Sequence, residues 1–233
     1  MASQDELSRS VLKSKSVLGS LPDDALDGLA KRARVASFVK GEALYRRGDA
    51  GDSLMVILTG RVKISNITDD AREVVLNFLG PGDLNGEIAV LDGKGRSADA
   101  TALEATEVAI LYRRDVMAVL ERHPQALLGI VAVLAGKLRM ASAMVEHGLL
   151  QMAGKAARGL LRLAEQHGLD GKDGTLVDLK LSQKDLGSYL GLSRENTSRE
   201  LGRLREAGLI RVDGAKIVIV DREGLEAWAE DAG

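Results

Sequence analysis

The 233-residue chain contains no cysteine, which removes disulfide frameworks, thiolate zinc sites, iron–sulfur clusters and cysteine nucleophiles from the chemistry its side chains can offer. That absence agrees with a reducing compartment. A chain this long hides about 70 % of its unfolded surface on folding, so neither a disulfide nor a structural metal is required. A basic excess is also missing: 32 Lys and Arg stand against 34 Asp and Glu, a formal net charge of −2 at pH 7. Any surface that meets a polyanion must therefore be local. Residues 1–20 hold Asp5, Glu6, Lys13 and Lys15 with no apolar core ahead of a cleavage site, so no secretory signal is expected. Apolar runs such as Leu127–Ala135 are broken by glycine and fall short of the ~20 residues of a bilayer crossing, so a cytoplasmic chain with no membrane partner is expected. Asn66-Ile67-Thr68 and Asn196-Thr197-Ser198 match the glycosylation pattern, which carries no weight without a secretory signal. Internal repeats and low-complexity segments are absent too.

What is present changes texture twice. From Val35 to Tyr112, short runs such as Leu54–Leu58, Val62–Ile64 and Val74–Leu76 are punctuated by glycines, the pattern of a β sandwich or barrel. A short helical prelude over Leu18–Ala33, entered through Pro22, precedes it. Near Arg113 the period becomes helical. Leu127, Val131, Leu134, Leu138, Ala141 and Val145 follow the 4, 3, 4, 3, 4 spacing of a coiled-coil seam, with a second stripe of Ile130, Val133, Met140 and Met144 beside it, and His147 and Gly148 end the helix. Such a helix packs on its own β domain and on an identical helix of a parallel homodimer; the alternative is an ordinary buried helix of a monomer.

Beyond Gly154, helices are expected over Ala156–His167, Ser182–Leu190 and Ser193–Ala207. A hairpin of Ile210–Val212 and Ile217–Val220 then turns at Asp213-Gly214. Ser182 and Asp185 make a capping box, Gly191 closes that helix, and Ser193 caps the next, so two helices meet across a tight turn as in a helix-turn-helix. In the second helix Thr197, Leu201 and Leu204 face the first, leaving Arg194, Glu195, Ser198 and Arg199 on the outer face. Arginine there can bond guanine O6 and N7, and a carboxylate can accept from cytosine N4. Glu195 and Arg199 are also spaced for a plain i,i+4 ion pair. Arg203, Arg205 and Lys216 are phosphate-contact candidates, the alternative being an exposed polar face.

Within the β region, Pro81–Ala89 is followed by Gly93-Lys94-Gly95-Arg96-Ser97. Neither stretch has the spacing of a nucleoside-triphosphate loop or the dinucleotide glycine fingerprint. Arg96 offers a fork for phosphate oxygens, Ser97 and backbone N–H groups near Gly86 offer donors, and Glu87 can accept a ribose hydroxyl. Ile64 and Leu76 supply an apolar wall. Those groups suit a cyclic phosphodiester; an internal Glu87–Arg96 salt bridge with no ligand fits the spacing equally.

Gly86-Glu87 with Arg96-Ser97, followed by Ser193-Arg194-Glu195 with Arg199, resembles the two signatures of the catabolite activator (cyclic AMP receptor protein) family, whose wider membership includes the fumarate-nitrate regulators. The resemblance runs over nearly the whole chain. It implies an α+β architecture: a double-stranded β-helix (jelly-roll) sensor over residues 1–112, a dimerisation helix over 113–148 and a winged helix-turn-helix over 149–233. It also implies a homodimeric transcription regulator, not an enzyme, that binds palindromic double-stranded DNA, meets RNA polymerase, and is switched by cAMP or cGMP without a metal. The implied ligand contacts are Ile64, Leu76, Gly86, Glu87, Ile88, Arg96, Ser97 and Ser142; the implied DNA contacts are Ser193, Arg194, Glu195, Ser198, Arg199, Arg203 and Lys216. Where cyclic-AMP-specific members carry Thr-Ser, this chain carries Ala141-Ser142. The loss of one hydroxyl, worth on the order of 1 kcal/mol, leaves the choice between the two nucleotides open. His123, His147 and His167 show no metal-ligand spacing, and no nucleophile–base pair or paired-carboxylate motif supports an enzyme such as a phosphodiesterase. The alternative reading is a regulator of the same fold that is constitutive or senses another small molecule.

Overall fold

A computed structural model describes Val11 and residues 21–231. The expected helical prelude falls partly outside them; within them, α1 runs over Asp23–Arg32. Eight strands follow: β1 (Arg34–Phe38), β2 (Ala43–Tyr45), β3 (Ser53–Thr59), β4 (Val62–Ile67), β5 (Glu73–Leu79), β6 (Leu84–Asn85), β7 (Asp99–Ala102) and β8 (Thr106–Tyr112). The short helix α2 (Glu87–Asp92) lies between β6 and β7. They form two antiparallel four-stranded sheets, ordered β1-β8-β3-β6 and β2-β7-β4-β5. Met55, Ile57 and Val108 of the first sheet pack with Val62, Leu79 and Ala100 of the second, giving the jelly-roll interior. The other face of the first sheet, Leu54, Val56, Leu58 and Leu111, is covered by α1, by α3 (Arg113–Arg122) and by the start of α4 (Ala126–Leu149). β3 is thus covered on both faces, which is why its sequence is continuously apolar instead of alternating.

Two sequence-level expectations need correcting here. The helical stretch from Arg113 is two helices, broken at His123 (φ −128°, ψ 70°) because Pro124 disfavours a helical residue before it and lacks an N–H. Moreover α4 is, by length and composition, apolar enough over Ala126–Gly148 to cross a membrane, with a mean hydropathy of 1.6 in its most apolar window. Counting uninterrupted apolar residues missed this, since a helix averages over its glycines.

The chain divides into two compact units between Leu138 and Arg139, inside α4. In the first unit α4 buries Ile130 and half-buries Leu134 against the outer core, while Leu128, Val131 and Leu138 are more than half exposed. In the second unit Val145 is likewise exposed and Met140 and Met144 are half-buried.

The second unit is built around α5 (Met152–His167), whose small residues Gly154, Ala156, Ala157, Gly159 and Ala164 permit close approach. A Cβ on Gly159 would run into Leu190. Then come β9 (Gly168–Gly171), β10 (Gly174–Val177), α6 (Gln183–Leu190), α7 (Arg194–Glu206), β11 (Ile210–Asp213), β12 (Lys216–Ile219) and α8 (Arg222–Asp231). The strands form one antiparallel sheet, ordered β11-β12-β10-β9. The expected hairpin is present, but Asp213 pairs with Lys216, so the turn is Gly214-Ala215. Sequence reading missed β9, β10 and α8: β9 and β10 are only four residues each, β9 is mostly glycine and aspartate, and they take strand form through pairing, β10 with β12 and β9 with β10.

Candidate functional site

The first candidate site forms where β6 ends. Gly86 adopts φ +87° before α2 begins at Glu87, a conformation glycine takes without strain, and a Cβ there would collide with the Arg96 guanidinium. The turn therefore presses the backbone against Arg96 and aims Glu87 inward. Glu87 is 1 % exposed and Arg96 4 %.

The internal Glu87–Arg96 salt bridge that the spacing allowed is not what forms. Glu87 Oε1 accepts a hydrogen bond from Lys137 Nζ of α4 at 2.6 Å, and its Oε2 has no partner among the described residues. Arg96 Nη2 donates to Ser53 Oγ (3.0 Å), Nη1 donates to the Gly86 carbonyl (3.3 Å), and the guanidinium lies 4.3 Å from the centroid of the Tyr45 ring. These partners are all neutral, and Arg96 Nε has none. A buried cation held by neutral groups leaves a charge that an anion can compensate. By contrast Lys63, buried in the same unit, pairs with Glu73 at 2.8 Å, and Ser65 also donates to that carboxylate.

The remaining predicted contacts are spread around this pair. Ile64 and Leu76 are half-buried, on β4 and β5; Ile64 packs against the inter-sheet core. Ile88 is 39 % exposed and Ser97 is exposed. Ser142 is exposed on α4 in the other unit.

Four groups escaped sequence reading: Tyr45, Ser53, Asn85 and Lys137. They lie 40 to 50 residues from the partners they hold, so no local spacing marks them. Tyr45 donates its hydroxyl to Asn85 Oδ1 at 2.6 Å. Burial pushes the Tyr45 phenol above its usual range, with Arg96 opposing, so it stays protonated.

The second candidate site is α7. Ser182 Oγ accepts from the Asp185 N–H and donates to its carboxylate; Gly191 ends α6 at φ +66°; Ser193 Oγ accepts from the Asn196 N–H. The caps are therefore placed as the sequence indicated, the first closed by the serine hydroxyl on Asp185 Oδ2. Thr197, Glu200, Leu201 and Leu204 are buried, while Ser193, Arg194, Glu195, Ser198 and Arg199 are exposed. The expected Glu195–Arg199 pairing is replaced: Arg199 donates to Asn196 Oδ1 at 2.6 Å and lies 3.6 Å from the buried Glu200 carboxylate. Glu200 wins because a buried carboxylate needs compensation that an exposed one gets from water. Arg203 also donates to Glu200, Arg205 is exposed, and Lys216 sits 3.5 Å from Asp178.

Each candidate site falls within a stretch of the chain that matches a known family. Residues 35–123 match the cyclic nucleotide-binding domain and residues 139–228 the Crp-like helix-turn-helix domain. The chain is 33 % identical over 195 residues to the cyclic AMP receptor protein of Thermus thermophilus, covering 82 % of this chain and 86 % of that protein. It is 27 % identical over 216 residues to the CRP-like cAMP-activated global transcriptional regulator of Mycobacterium tuberculosis, covering 92 % and 96 %. The solved structure of FixK2 from Bradyrhizobium japonicum superimposes with a TM-score of 0.76 at 27 % identity, covering 84 % of this chain and 96 % of that one.

Proposed function

The chain belongs to the catabolite activator and fumarate-nitrate (CRP/FNR) family of transcription regulators, with a cyclic nucleotide-binding domain and a Crp-like helix-turn-helix, and on that premise we propose that it is a homodimer switched on DNA by cAMP or cGMP bound in the β-roll. The observation that carries this reading is the buried, mutually unpaired couple of Glu87 and Arg96, each with one orphaned polar atom. An acceptor and a cation desolvated side by side fit a ligand with a hydroxyl at one end and a single negative charge at the other. Arg96 would hold phosphate oxygens, Ser97 would add a donor, and Glu87 Oε2 would accept a ribose hydroxyl. Ile64, Leu76 and Ile88 would wall the base, and Ser142 is the base-edge contact that the family resemblance implies.

Glu87 also connects the pocket to α4, since its other oxygen holds Lys137. A hydroxyl taken by Oε2 changes the field on the carboxylate that anchors that helix, the differential contact a ligand needs to shift an equilibrium. The exposed apolar stripe of α4 suits a second copy better than lipid, because Lys137 and Arg139 would lie mid-bilayer in a spanning helix. On this reading the chain is cytoplasmic, with a sensor domain to residue 112, a dimerisation helix to 148 and a DNA-binding domain beyond. Paired α7 helices would then read half-sites ~34 Å apart. Arg194, Glu195, Ser198 and Arg199 would face bases from the helix that Ser193 caps, and Arg203 and Lys216 would face phosphates. RNA polymerase is the downstream partner, and the bound nucleotide is held, not turned over.

The test is binding to a palindromic site with no ligand, with cAMP and with cGMP, alongside calorimetry of each nucleotide. Nucleotide-dependent affinity is expected. DNA binding indifferent to both, with no heat of binding, would favour the second reading, that the same fold answers to another small anion, toward which Ala141 in the expected threonine position points.

A further inference from the structure

A third group completes the pocket in a way the two charged residues do not require. Asn85, the residue before the Gly86 turn, is 4 % exposed, and its Nδ2 has no partner among the described residues. A buried amide N–H left unpaired costs free energy unless something else accepts from it. Its carbonyl oxygen is turned to Tyr45, whose hydroxyl donates to it at 2.6 Å, and the same Tyr45 ring carries the Arg96 guanidinium 4.3 Å from its centroid. Arg96 Nη1 in turn donates to the carbonyl of Gly86, the next residue after Asn85. One tyrosine thus holds amide and guanidinium together, and each retains a buried N–H: Asn85 Nδ2 and Arg96 Nε.

Resting on the cyclic-nucleotide reading, we propose that Asn85 is a ligand contact: its Nδ2 donates to one exocyclic oxygen of the cyclic phosphate while Arg96, together with Ser97, takes the other, with Tyr45 as the residue that positions Asn85 and Arg96. An amide adds a donor without adding charge, so the site matches a singly charged phosphodiester, whose two exocyclic oxygens are then met by different donors. Tyr45 suits its part because its buried phenol stays protonated and donates, fixing which end of the amide faces it.

Unequal donors make the phosphate's two oxygens distinguishable, and the test uses that. The Sp and Rp phosphorothioates of cAMP each replace one exocyclic oxygen by sulfur, a weak acceptor. The wild-type chain is expected to prefer one isomer. Asn85→Leu, close in volume, is expected to weaken cAMP about tenfold or more, the loss of a hydrogen bond to a charged group, and to shrink the preference between isomers. Asn85→Asp, isosteric and still an acceptor for Tyr45, is expected to bind cAMP more weakly still. Tyr45→Phe keeps the ring under Arg96 and is expected to shrink the isomer preference with a smaller loss for cAMP.

Thermal unfolding of each variant, without ligand, checks the fold. Weaker cAMP binding by Asn85→Leu with an unchanged isomer ratio assigns the residue a structural role and overturns the proposal. Wild-type affinity in both Asn85 variants, with binding lost in Arg96→Ala, overturns it while leaving the cyclic-nucleotide reading intact. Failure of the wild-type chain to bind cAMP or cGMP overturns both.

Discussion

The two candidate sites use the same residue types in opposite settings. Glu87 and Arg96 are 1 % and 4 % exposed, whereas the side chain of Arg199 is 53 % exposed and Arg194 and Glu195 lie open to solvent. Burial decides what each can bind. A desolvated charge is costly until one small ion of matching shape compensates it, and salt screens that interaction little. An exposed charge costs nothing to leave alone, contributes little singly, and acts in numbers against a polyanion whose counterions it releases.

Substitutions should separate the two regimes, beginning with the most damaging. Arg96→Ala removes the cation from the buried site, and calorimetry is expected to show cyclic-nucleotide affinity reduced by roughly 3 kcal/mol or more, near abolition, with the fold retained. Undiminished affinity would take Arg96 out of the site and break the comparison. Arg199→Ala is expected to cost about 1–3 kcal/mol on the specific DNA and to relax selectivity at one base pair; equal loss on every sequence would reassign it to phosphate. Lys216→Ala is expected to weaken DNA binding about equally on all sequences and lower the log–log salt slope by about one, while nucleotide affinity hardly responds to salt in either protein.

The smallest expected effect concerns a buried ionisable group outside both sites. His147 Nε2 donates to the Leu190 carbonyl at the end of α6, and the ring is buried. Desolvation pushes its pKa below the ordinary histidine value near 6.5; the Leu190 bond opposes this, and Arg162, Lys155 and Arg158 add to it. The unfolded chain therefore takes up a proton at a higher pH than the folded one does. Stability contributed by neutral His147 is present above the ordinary value and is lost as pH falls from there toward the depressed folded value. Trp228, the chain's single tryptophan, lies in the second unit and reports on its unfolding. Denaturant midpoints followed by its fluorescence should fall between pH 7.5 and 5.5, less so in His147→Gln. An equal fall in both proteins would assign the pH dependence elsewhere.

The caps of α6 and α7 were legible because capping is local: a side chain, a glycine and a backbone N–H within four residues decide it. The Gly86-Glu87 and Arg96-Ser97 motifs were legible for the same reason. Whether Glu87 and Arg96 paired with each other was not, because the alternatives, Lys137, Ser53 and Tyr45, come from α4, β3 and β2. The partner of Arg199 was misjudged on one helix, where i,i+4 spacing named Glu195 and burial of Glu200 at 2 % exposure decided otherwise.

The sequence by itself determined the order of β-roll, apolar helix and helix-turn-helix, since periodicity, caps and glycine turns act over a few residues. Only the tertiary structure decided which charges are stripped of water and which atoms among them go unpaired. Desolvation belongs to a residue's three-dimensional surroundings, and the residues that create it around Arg96 come from strands and turns far apart in the chain.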